Sequence, residues 1–294
     1  MSPGKKFREL MGKGGLIVAP GAYDCITARS IAHSGFGAVY MTGAGTAATL
    51  GFPDYGLLTM SEMAENAGRI AACVNIPVIA DADTGYGNEL NVTRTVREYE
   101  RRGVAGLHIE DQGFPKKCGH LDNKTIIPSG DYIAKIRAAV AARKDPDFVI
   151  IARTDARSVL GFEEAVRRMN AALDAGADMA FLEAPQTMEE IAAVPRLVKG
   201  PCLLNIVWRG KTPDVSFDEA EKAGYRLAIV PGLLLKAVLG TCDAMLEKLR
   251  ESGRHPALDT GMTVRDVFRR AGADEWDNVS ERFRPQEAPA KAAE

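Results

Sequence analysis

The sequence predicts an α/β protein: a (β/α)8 TIM-type barrel with extra C-terminal helices. Three observations predict it. Eight short apolar, β-rich runs recur along the chain. Helical periodicity fills most of the intervals between them. The polar residues that interrupt the runs gather at their carboxyl ends.

The runs are 16–20 (LIVAP), 38–43 (AVYMTG), 77–84 (PVIADADT) and 106–111 (GLHIED). Then come 148–156 (FVIIARTDA), 179–184 (MAFLEA), 201–207 (PCLLNIV) and 226–232 (RLAIVPG). Continuous rather than alternating apolarity is what strands covered on both faces require. Residues 61–73, 89–102, 129–143, 162–175 and 216–223 carry apolar side chains at three- and four-residue spacing. Gly103, Gly176 and Gly224 stand just before the next strand, where a C′ glycine ends a helix in the left-handed region. Strands alternating with helices imply parallel βα units. A count of eight favours closure over the alternative, an open doubly wound sheet. Beyond the last run, 233–252 reads as one long helix and 264–271 as a second. The whole of 1–294 is read as one barrel domain, with a helical extension over about 233–285 that exceeds the barrel's needs and has a neighbouring subunit as a possible partner. The tail 285–294 (PQEAPAKAAE) is expected to be disordered.

Composition excludes several function classes. The 294 residues are 46% hydrophobic and 26% charged, as in an ordinary soluble globular protein. Lys+Arg of 37 against Asp+Glu of 39 leaves no basic excess for nucleic acid. No apolar run approaches the roughly 18 residues that a membrane span needs. The opening MSPGKKFREL lacks the apolar core of a signal peptide. The five cysteines are scattered without a CxxC pair, which argues against a disulfide framework or a zinc ribbon. The expectation is a cytoplasmic enzyme with reduced thiols and a small-molecule substrate.

Thr42, Asp81, Asp83, Glu110, Asp111, Arg153, Asp155, Glu183 and Asn205 are the polar exceptions at strand ends. Any one of them could be a local cap. The same placement on strand after strand points to the barrel's carboxyl face, where barrel active sites lie. Asp81 and Asp83 are two apart, so on a strand they point to one side. Adjacent carboxylates need something positive between them, and Mg2+, a hard ion that keeps several waters, suits oxygen donors. Glu110 and Glu183 could hold those waters, and the absence of sulfur or nitrogen ligands argues against zinc. The alternative is that Asp83 caps the TGYGN turn. Residues 112–128 form a long loop containing Lys116, Lys117, Cys118, Gly119 and His120. Cations beside Cys118 would favour a thiolate, fit for acid–base or nucleophilic work. Gly119 would leave the loop free to bend. The alternative is an ordinary surface cysteine. His108 reads equally as a structural or a catalytic residue, and His33 and His255 as surface residues. Cys25, Cys73, Cys202 and Cys242 read as small core residues. Gly85-Tyr86-Gly87 lacks the spacing of a phosphate-binding fingerprint.

The motifs DADTGYGN, GLHIEDQ, KKCGH and ARTDA, in this order, resemble the isocitrate lyase/phosphoenolpyruvate mutase superfamily over about 15–250. The likeness is strongest to its 2-methylisocitrate lyase and 2-alkylmalate lyase branch, because the superfamily's mutases carry a loop without the cysteine. The resemblance implies a barrel whose terminal helix is swapped between subunits of a homotetramer. It implies Mg2+, with Mn2+ as a substitute, at the positions of Asp54, Asp81, Asp83 and Glu110. Tyr40, Thr42, Gly43, Ala44 and Arg153 match positions that hold the part of the substrate that becomes pyruvate. His108, Lys116, Gly119, Glu183, Asn205 and Pro231 match positions lining such sites. Cys118 matches the catalytic cysteine, in a loop with His120. The implied reaction splits the C2–C3 bond of a 2-hydroxy di- or tricarboxylate, with the metal on the hydroxyl and adjacent carboxylate. Tyr40 or Arg153 would assist removal of the hydroxyl proton, and Cys118 would protonate the second product.

Two departures bear on the substrate. The seventh run continues Asn205-Ile206-Val207-Trp208-Arg209-Gly210, where 2-methylisocitrate lyases are polar. Leu121-Asp122-Asn123-Lys124 lacks their basic residue directly after the histidine. Both favour a smaller alkylated malate over a tricarboxylate. Oxaloacetate hydrolases of the superfamily carry a serine where this chain has Pro231, which favours a lyase. The competing expectations are a carboxyphosphonoenolpyruvate phosphonomutase or oxaloacetate hydrolase on the same scaffold, and a non-catalytic metabolite-binding barrel.

Overall fold

The computed structural model describes residues 1–258 and 260–284, so the expectation for 285–294 lies outside the described residues. The chain forms two compact units, Met1–Asp243 and Ala244–Glu294. In the first, eight parallel strands close in chain order: β1 (Ile17–Ala22), β2 (Val39–Met41), β3 (Val78–Asp81), β4 (Gly106–Glu110), β5 (Val149–Thr154), β6 (Met179–Leu182), β7 (Cys202–Asn205) and β8 (Leu227–Val230). The closing seam pairs Ile17 with Leu227 through Pro20 with Val230. The barrel, and not the open sheet, is the fold.

Helices surround the strands: α1 (Pro3–Gly12), α2 (Cys25–His33), α3 (Gly43–Thr49), α4 (Met60–Cys73), α5 (Glu89–Arg101), α6 (Ser129–Ala142), α7 (Phe162–Asp174), α8 (Met188–Leu197) and α9 (Phe217–Ala223); α10 (Leu233–Ser252) follows β8. Gly103, Gly176 and Gly224 have φ of 81°, 102° and 105°, the left-handed conformation expected after a helix. Several starts are fixed by reciprocal side-chain caps, such as Thr59 with Glu62 on α4 and Ser216 with Glu219 on α9. The long α10 runs across the boundary between units. The second unit holds α11 (Val264–Arg270), begun by a Thr263–Asp266 capping box, and α12 (Ala273–Phe283). No helix among the described residues is long and apolar enough to cross a membrane.

Each strand divides its side chains between two cores. Outward residues such as Val78, Ala80, Leu107, Ile109 and Ile150 pack under the helices. Inward residues such as Ile17, Ile79, Val149, Ile151, Met179, Leu203 and Leu227 fill the barrel, where Phe7 of α1 joins them, fully buried. Of the cysteines expected in the core, only Cys202 is buried; Cys25 and Cys73 are half-buried and Cys242 is exposed. Cys25 and Cys73 stand at helix ends, which explains their partial exposure.

Candidate active site

The inward ladder changes character toward the carboxyl ends. Above Ile79 stands Asp81, above Val149 and Ile151 stands Arg153, and above Met179 and Phe181 stands Glu183. Period-two alternation puts these polar residues on the barrel axis. On β4 the same alternation aims His108 and Glu110 inward, and on β7 it aims Asn205. All six are buried.

Arg153 gathers three carboxylates. Its Nε donates to Asp155 Oδ2 at 2.9 Å and stands 3.2 Å from Glu110 Oε2, and its Nη2 lies 3.3 Å from Glu183 Oε2. Glu183 also accepts from Asn205 Nδ2 at 3.2 Å and pairs with His120 Nε2 at 3.1 Å. Burial pushes the Glu183 carboxyl up, but Arg153 and His120 more than offset this and hold it below the usual range. Glu110 fares differently: burial dominates, Arg153 compensates only in part, and its carboxyl stays well above the usual range. Asp111 serves the scaffold. It accepts from Thr154 Oγ1 at 2.6 Å, Asp155 N at 2.8 Å and Arg168 Nη1 at 3.0 Å.

Asp81 accepts from the backbone N–H groups of Asp83 at 2.9 Å and Gly43 at 3.2 Å. A Cβ on Gly43 would fall 2.5 Å from Asp81 Oδ2, so only glycine allows this approach. Burial opposes the Asp81 charge, yet His108, Lys116 and Arg153 hold its carboxyl down at about 2. The Tyr40 hydroxyl lies 2.8 Å from His108 Nε2 and 3.3 Å from Asp81 Oδ2. Burial and Asp81 push the Tyr40 phenol well above its ordinary value, so it stays protonated. Burial pushes the His108 imidazole down to about 4, leaving it neutral near pH 7.

The pairing of Asp81 with Asp83 does not come from strand alternation. β3 ends at Asp81, and Asp83 sits in the left-handed region with φ 47°. Its carbonyl accepts from Glu110 N at 2.9 Å. Among the described residues no hydrogen bond joins the Asp83 side chain to the TGYGN turn, and it is Asp81 that accepts from the Asp83 N–H. The positive group beside Asp83 is Lys116 Nζ, 2.8 Å from its Oδ1 and also paired with Asp54. Burial, with repulsion from Asp81 and Asp54, raises the Asp83 carboxyl to about 6 against the pull of Lys116.

The donor set fits a hard divalent cation attached partly through water. Glu110 Oε1 is buried without a hydrogen-bond partner, and the surrounding donors are carboxylate oxygens. Among the described residues no three His, Cys, Asp or Glu side chains converge as a ready cage for an ion.

The loop after β4 lies over this base. Cys118 N donates to Asp54 O at 3.1 Å. The expected thiolate is not what the loop provides. Burial, reinforced by Asp54, pushes the Cys118 thiol up to about 11. The neighbouring Lys116 cannot lower it, because its charge is committed to Asp54 and Asp83. Gly119 is needed for close approach more than for bending: a Cβ there would fall 2.5 Å from Glu183 Cγ and 2.6 Å from Arg153 Nη2. His120 Nδ1 accepts from Lys211 N at 3.0 Å, which leaves the Nε2 proton for Glu183. Four residues after His120, a lysine ties the loop down. Lys124 is buried, donates to Asp155 Oδ1 at 2.6 Å and binds the Gly119 carbonyl.

These groups enclose a cavity of about 210 Å3. The β2 side contributes Tyr40, Thr42, Ala44 and Gly45, and the loops contribute Asp54, Cys118, Gly119 and His120. Asp81, Arg153, Glu183 and Asn205 come from strands β3 and β5–β7, with Val207 just beyond β7. Pro231, Gly232, Leu235 and Lys236 complete the lining from the β8–α10 junction. Gly43, Asp83, His108, Glu110 and Lys116 support this lining from behind it. Sequence reasoning missed Gly45, Gly232, Leu235 and Lys236 as lining residues. It also missed Lys124 as an anchor. A lysine four residues from the KKCGH histidine was the available signal.

Residues 7–250 match the family model described as phosphoenolpyruvate phosphomutase. The chain is 49% identical over 232 residues to 2,3-dimethylmalate lyase of Eubacterium barkeri, covering 79% of this chain and 80% of that protein. It is 44% identical over 266 residues to 2-methylisocitrate lyase of Aeropyrum pernix, covering 90% and 86%. Among solved structures, oxaloacetate acetylhydrolase in complex with 3,3-difluorooxalacetate superposes with TM-score 0.93 at 40% identity, covering 98% of this chain and 99% of that one. Phosphonopyruvate hydrolase in complex with oxalate and Mg++ superposes with TM-score 0.87 at 31% identity, covering 96% and 99%.

Proposed function

The chain belongs to the phosphoenolpyruvate mutase/isocitrate lyase superfamily, and from that premise we propose that it is a carbon–carbon lyase releasing pyruvate from a 2-hydroxy-2-methyl dicarboxylate. The observation that carries the reading is Cys118. Its thiol lines the cavity and is held protonated by burial, with a value near 11, beside Arg153 and Glu183. A protonated thiol above a charged base is an acid, not a nucleophile.

The chain's own groups divide the work. Arg153, Thr42 and the backbone near Gly43 and Ala44 orient the end that becomes pyruvate. The Tyr40 hydroxyl, anchored on His108, contacts the substrate hydroxyl region as a hydrogen-bond donor. Neither Tyr40 nor Arg153 is a free base, because both are held in their protonated forms. Their contribution is electrostatic. The hydroxyl proton passes to the ionised Glu183 carboxylate of the cavity lining, the C2–O bond becomes a carbonyl and the C2–C3 pair moves onto C3 and its carboxylate. Cys118 then donates its proton to C3, giving the second carboxylic acid. A positioned acid of this kind contributes about 10²–10⁴ in rate. Gly119, packed against Arg153 and Glu183, closes the cavity to water. Asp81, Asp83, Glu110 and Asp54 would hold Mg2+, or Mn2+ in its place. When bound, such an ion acidifies the hydroxyl and offsets developing negative charge.

The apolar Val207, Pro231 and Leu235 suit an alkylated malate such as 2,3-dimethylmalate better than a tricarboxylate. Oxaloacetate hydrolysis is the second reading, favoured by the close superposition on oxaloacetate acetylhydrolase. Pro231, where a hydroxyl is expected for that reaction, opposes it. The helical extension, with Val267, Phe268, Trp276 and Phe283 exposed, suits a homotetramer with exchanged helices. The test is a panel of 2,3-dimethylmalate, 2-ethylmalate, 2-methylisocitrate, isocitrate and oxaloacetate, with pyruvate followed in a coupled assay with and without chelator. Chelator-sensitive pyruvate from 2,3-dimethylmalate is expected, and 2-ethylmalate, if cleaved, would give 2-oxobutanoate and acetate. Oxalate and acetate from oxaloacetate as the fastest products would overturn the lyase reading in favour of the hydrolase.

A further inference from the structure

Away from the cavity, two of the five cysteines meet where α2 packs on α4. Cys25 opens α2 and Cys73 closes α4, 48 positions apart in the chain. The Cys25 thiol donates to the Arg69 carbonyl at 3.5 Å. The Cys73 thiol donates to the next carbonyl, that of Ile70, at 3.2 Å, and its sulfur lies 3.9 Å from the Cys25 carbonyl oxygen. The two thiols are in side-chain hydrogen-bond contact, and the Arg29 guanidinium, one turn along α2 from Cys25, bonds to Cys73 as well. Both cysteines are half-buried, and neither lines the active-site cavity.

We propose that Cys25 and Cys73 are a modification site, a dithiol that closes to a reversible disulfide by exchange with a small-molecule disulfide and so ties the start of α2 to the end of α4. This stands independently of the lyase reading. Burial, reinforced by the hydrogen bond and charge of the Cys25 thiol, pushes the Cys73 thiol up to about 12 against the pull of Arg29, so Cys73 is the second to react. Cys25 gives its proton to water and attacks one sulfur of the small disulfide. That sulfur–sulfur bond breaks, and the departing thiolate takes up a proton. As a mixed disulfide, Cys25 no longer raises Cys73, while Arg29 stays to favour the Cys73 thiolate. Cys73 then gives its proton to water and attacks the Cys25 sulfur. The Cys25–Cys73 bond forms, and the second small thiolate leaves and is protonated. Two protein thiols are oxidised and one small disulfide is reduced to two thiols. The bridge lies behind the β2 side of the cavity. Asn66 of α4 donates to the Tyr23 carbonyl at 2.9 Å and to Thr46 Oγ1 at 3.0 Å, and a Cβ on Gly45 would fall 2.7 Å from Tyr23 Cβ. The covalent tie therefore fastens the two helices that back this wall.

Excess oxidised glutathione added to the folded full chain tests this without reference to turnover. Remaining thiols are alkylated, the protein is digested, and the peptides are read by mass spectrometry. The expected product is a linked peptide pair joining Cys25 to Cys73, with two hydrogens lost and full reversal by dithiothreitol. A closed loop of this length restricts the unfolded chain, so the thermal midpoint should rise by about 4–8 °C on oxidation and fall back on reduction. Cys25→Ser should leave Cys73 alkylated and abolish the rise. Cys73→Ser should trap the first step as a mixed disulfide at Cys25. A mixed disulfide that persists at Cys25 in the wild-type protein would overturn the proposal. So would alkylation of both residues after oxidation, a linked pair that forms only in urea, or a linked pair without a rise in midpoint.

Discussion

The two halves of the barrel interior are built on opposite rules. The lower half stacks Ile79, Val149, Ile151, Met179, Leu203 and Leu227 over Phe7, all buried and all apolar. The upper half, on the same strands and one alternation further on, buries Asp81, Glu110, Arg153, Glu183 and Asn205. Several upper groups keep unpaired oxygens, while the lower half has no polar atom to satisfy. Burying a charge costs several kcal/mol unless its partners compensate. The upper half therefore draws on stability supplied by the lower half, and its unspent polar atoms are what a substrate can use.

Four variants or measurements break this division, in order of effect. Replacing Cys118 with Ala should lower kcat by about 10²–10⁴ while leaving the thermal midpoint nearly unchanged; coupled kinetics and calorimetry check both halves of that statement. Phe7→Ala should do the opposite. It removes a fully buried ring from the lower core and should cost about 3–5 kcal/mol in denaturant unfolding, with kcat per folded molecule near wild type. A large loss of kcat there would show that the two halves are not separable.

Thiol chemistry comes next. With its thiol held near 11, Cys118 should react with iodoacetamide at pH 8 about 100-fold more slowly than the exposed Cys242. Mass spectrometry of labelled peptides separates the two. The folded value lies above the unfolded one, so this thiol's contribution to stability is complete below about pH 8.5 and declines toward pH 11. Equal labelling rates at pH 8 would remove the acid assignment. The smallest effect is expected at Glu110. Its carboxyl is raised by burial, so Glu110→Gln in metal-free protein copies the protonated form. The midpoint should move by no more than about 2–4 °C. A loss of several kcal/mol would mean an ionised Glu110 paired with Arg153.

The lower half and the strand order were legible in the sequence because buried parallel strands are continuously apolar and each ends near a turn signal. α1 was not, because PGKKFRELMG commits one aromatic, Phe7, to the core and flanks it with Lys5, Lys6, Arg8 and Glu9. α8 is short and contains Pro195, which hides its helical pattern. At the site, residue types at strand ends were readable, since a polar residue in an apolar run stands out. Their relations were not. The left-handed turn at Asp83 replaces strand alternation, and Lys116 reaches Asp54 across 62 positions. The protonation of Cys118 depends on burial, which neighbours in sequence do not report. Lys124 acts across a loop whose path spacing does not fix.

Proton delivery to carbon tests the central claim most directly. Turnover of 2,3-dimethylmalate in D2O, read by NMR of the released propionate, should show one deuterium at C2 on a single face with wild-type protein. Cys118→Ala should release little propionate under the same conditions. Single-faced deuteration at the wild-type rate by Cys118→Ala would contradict the account.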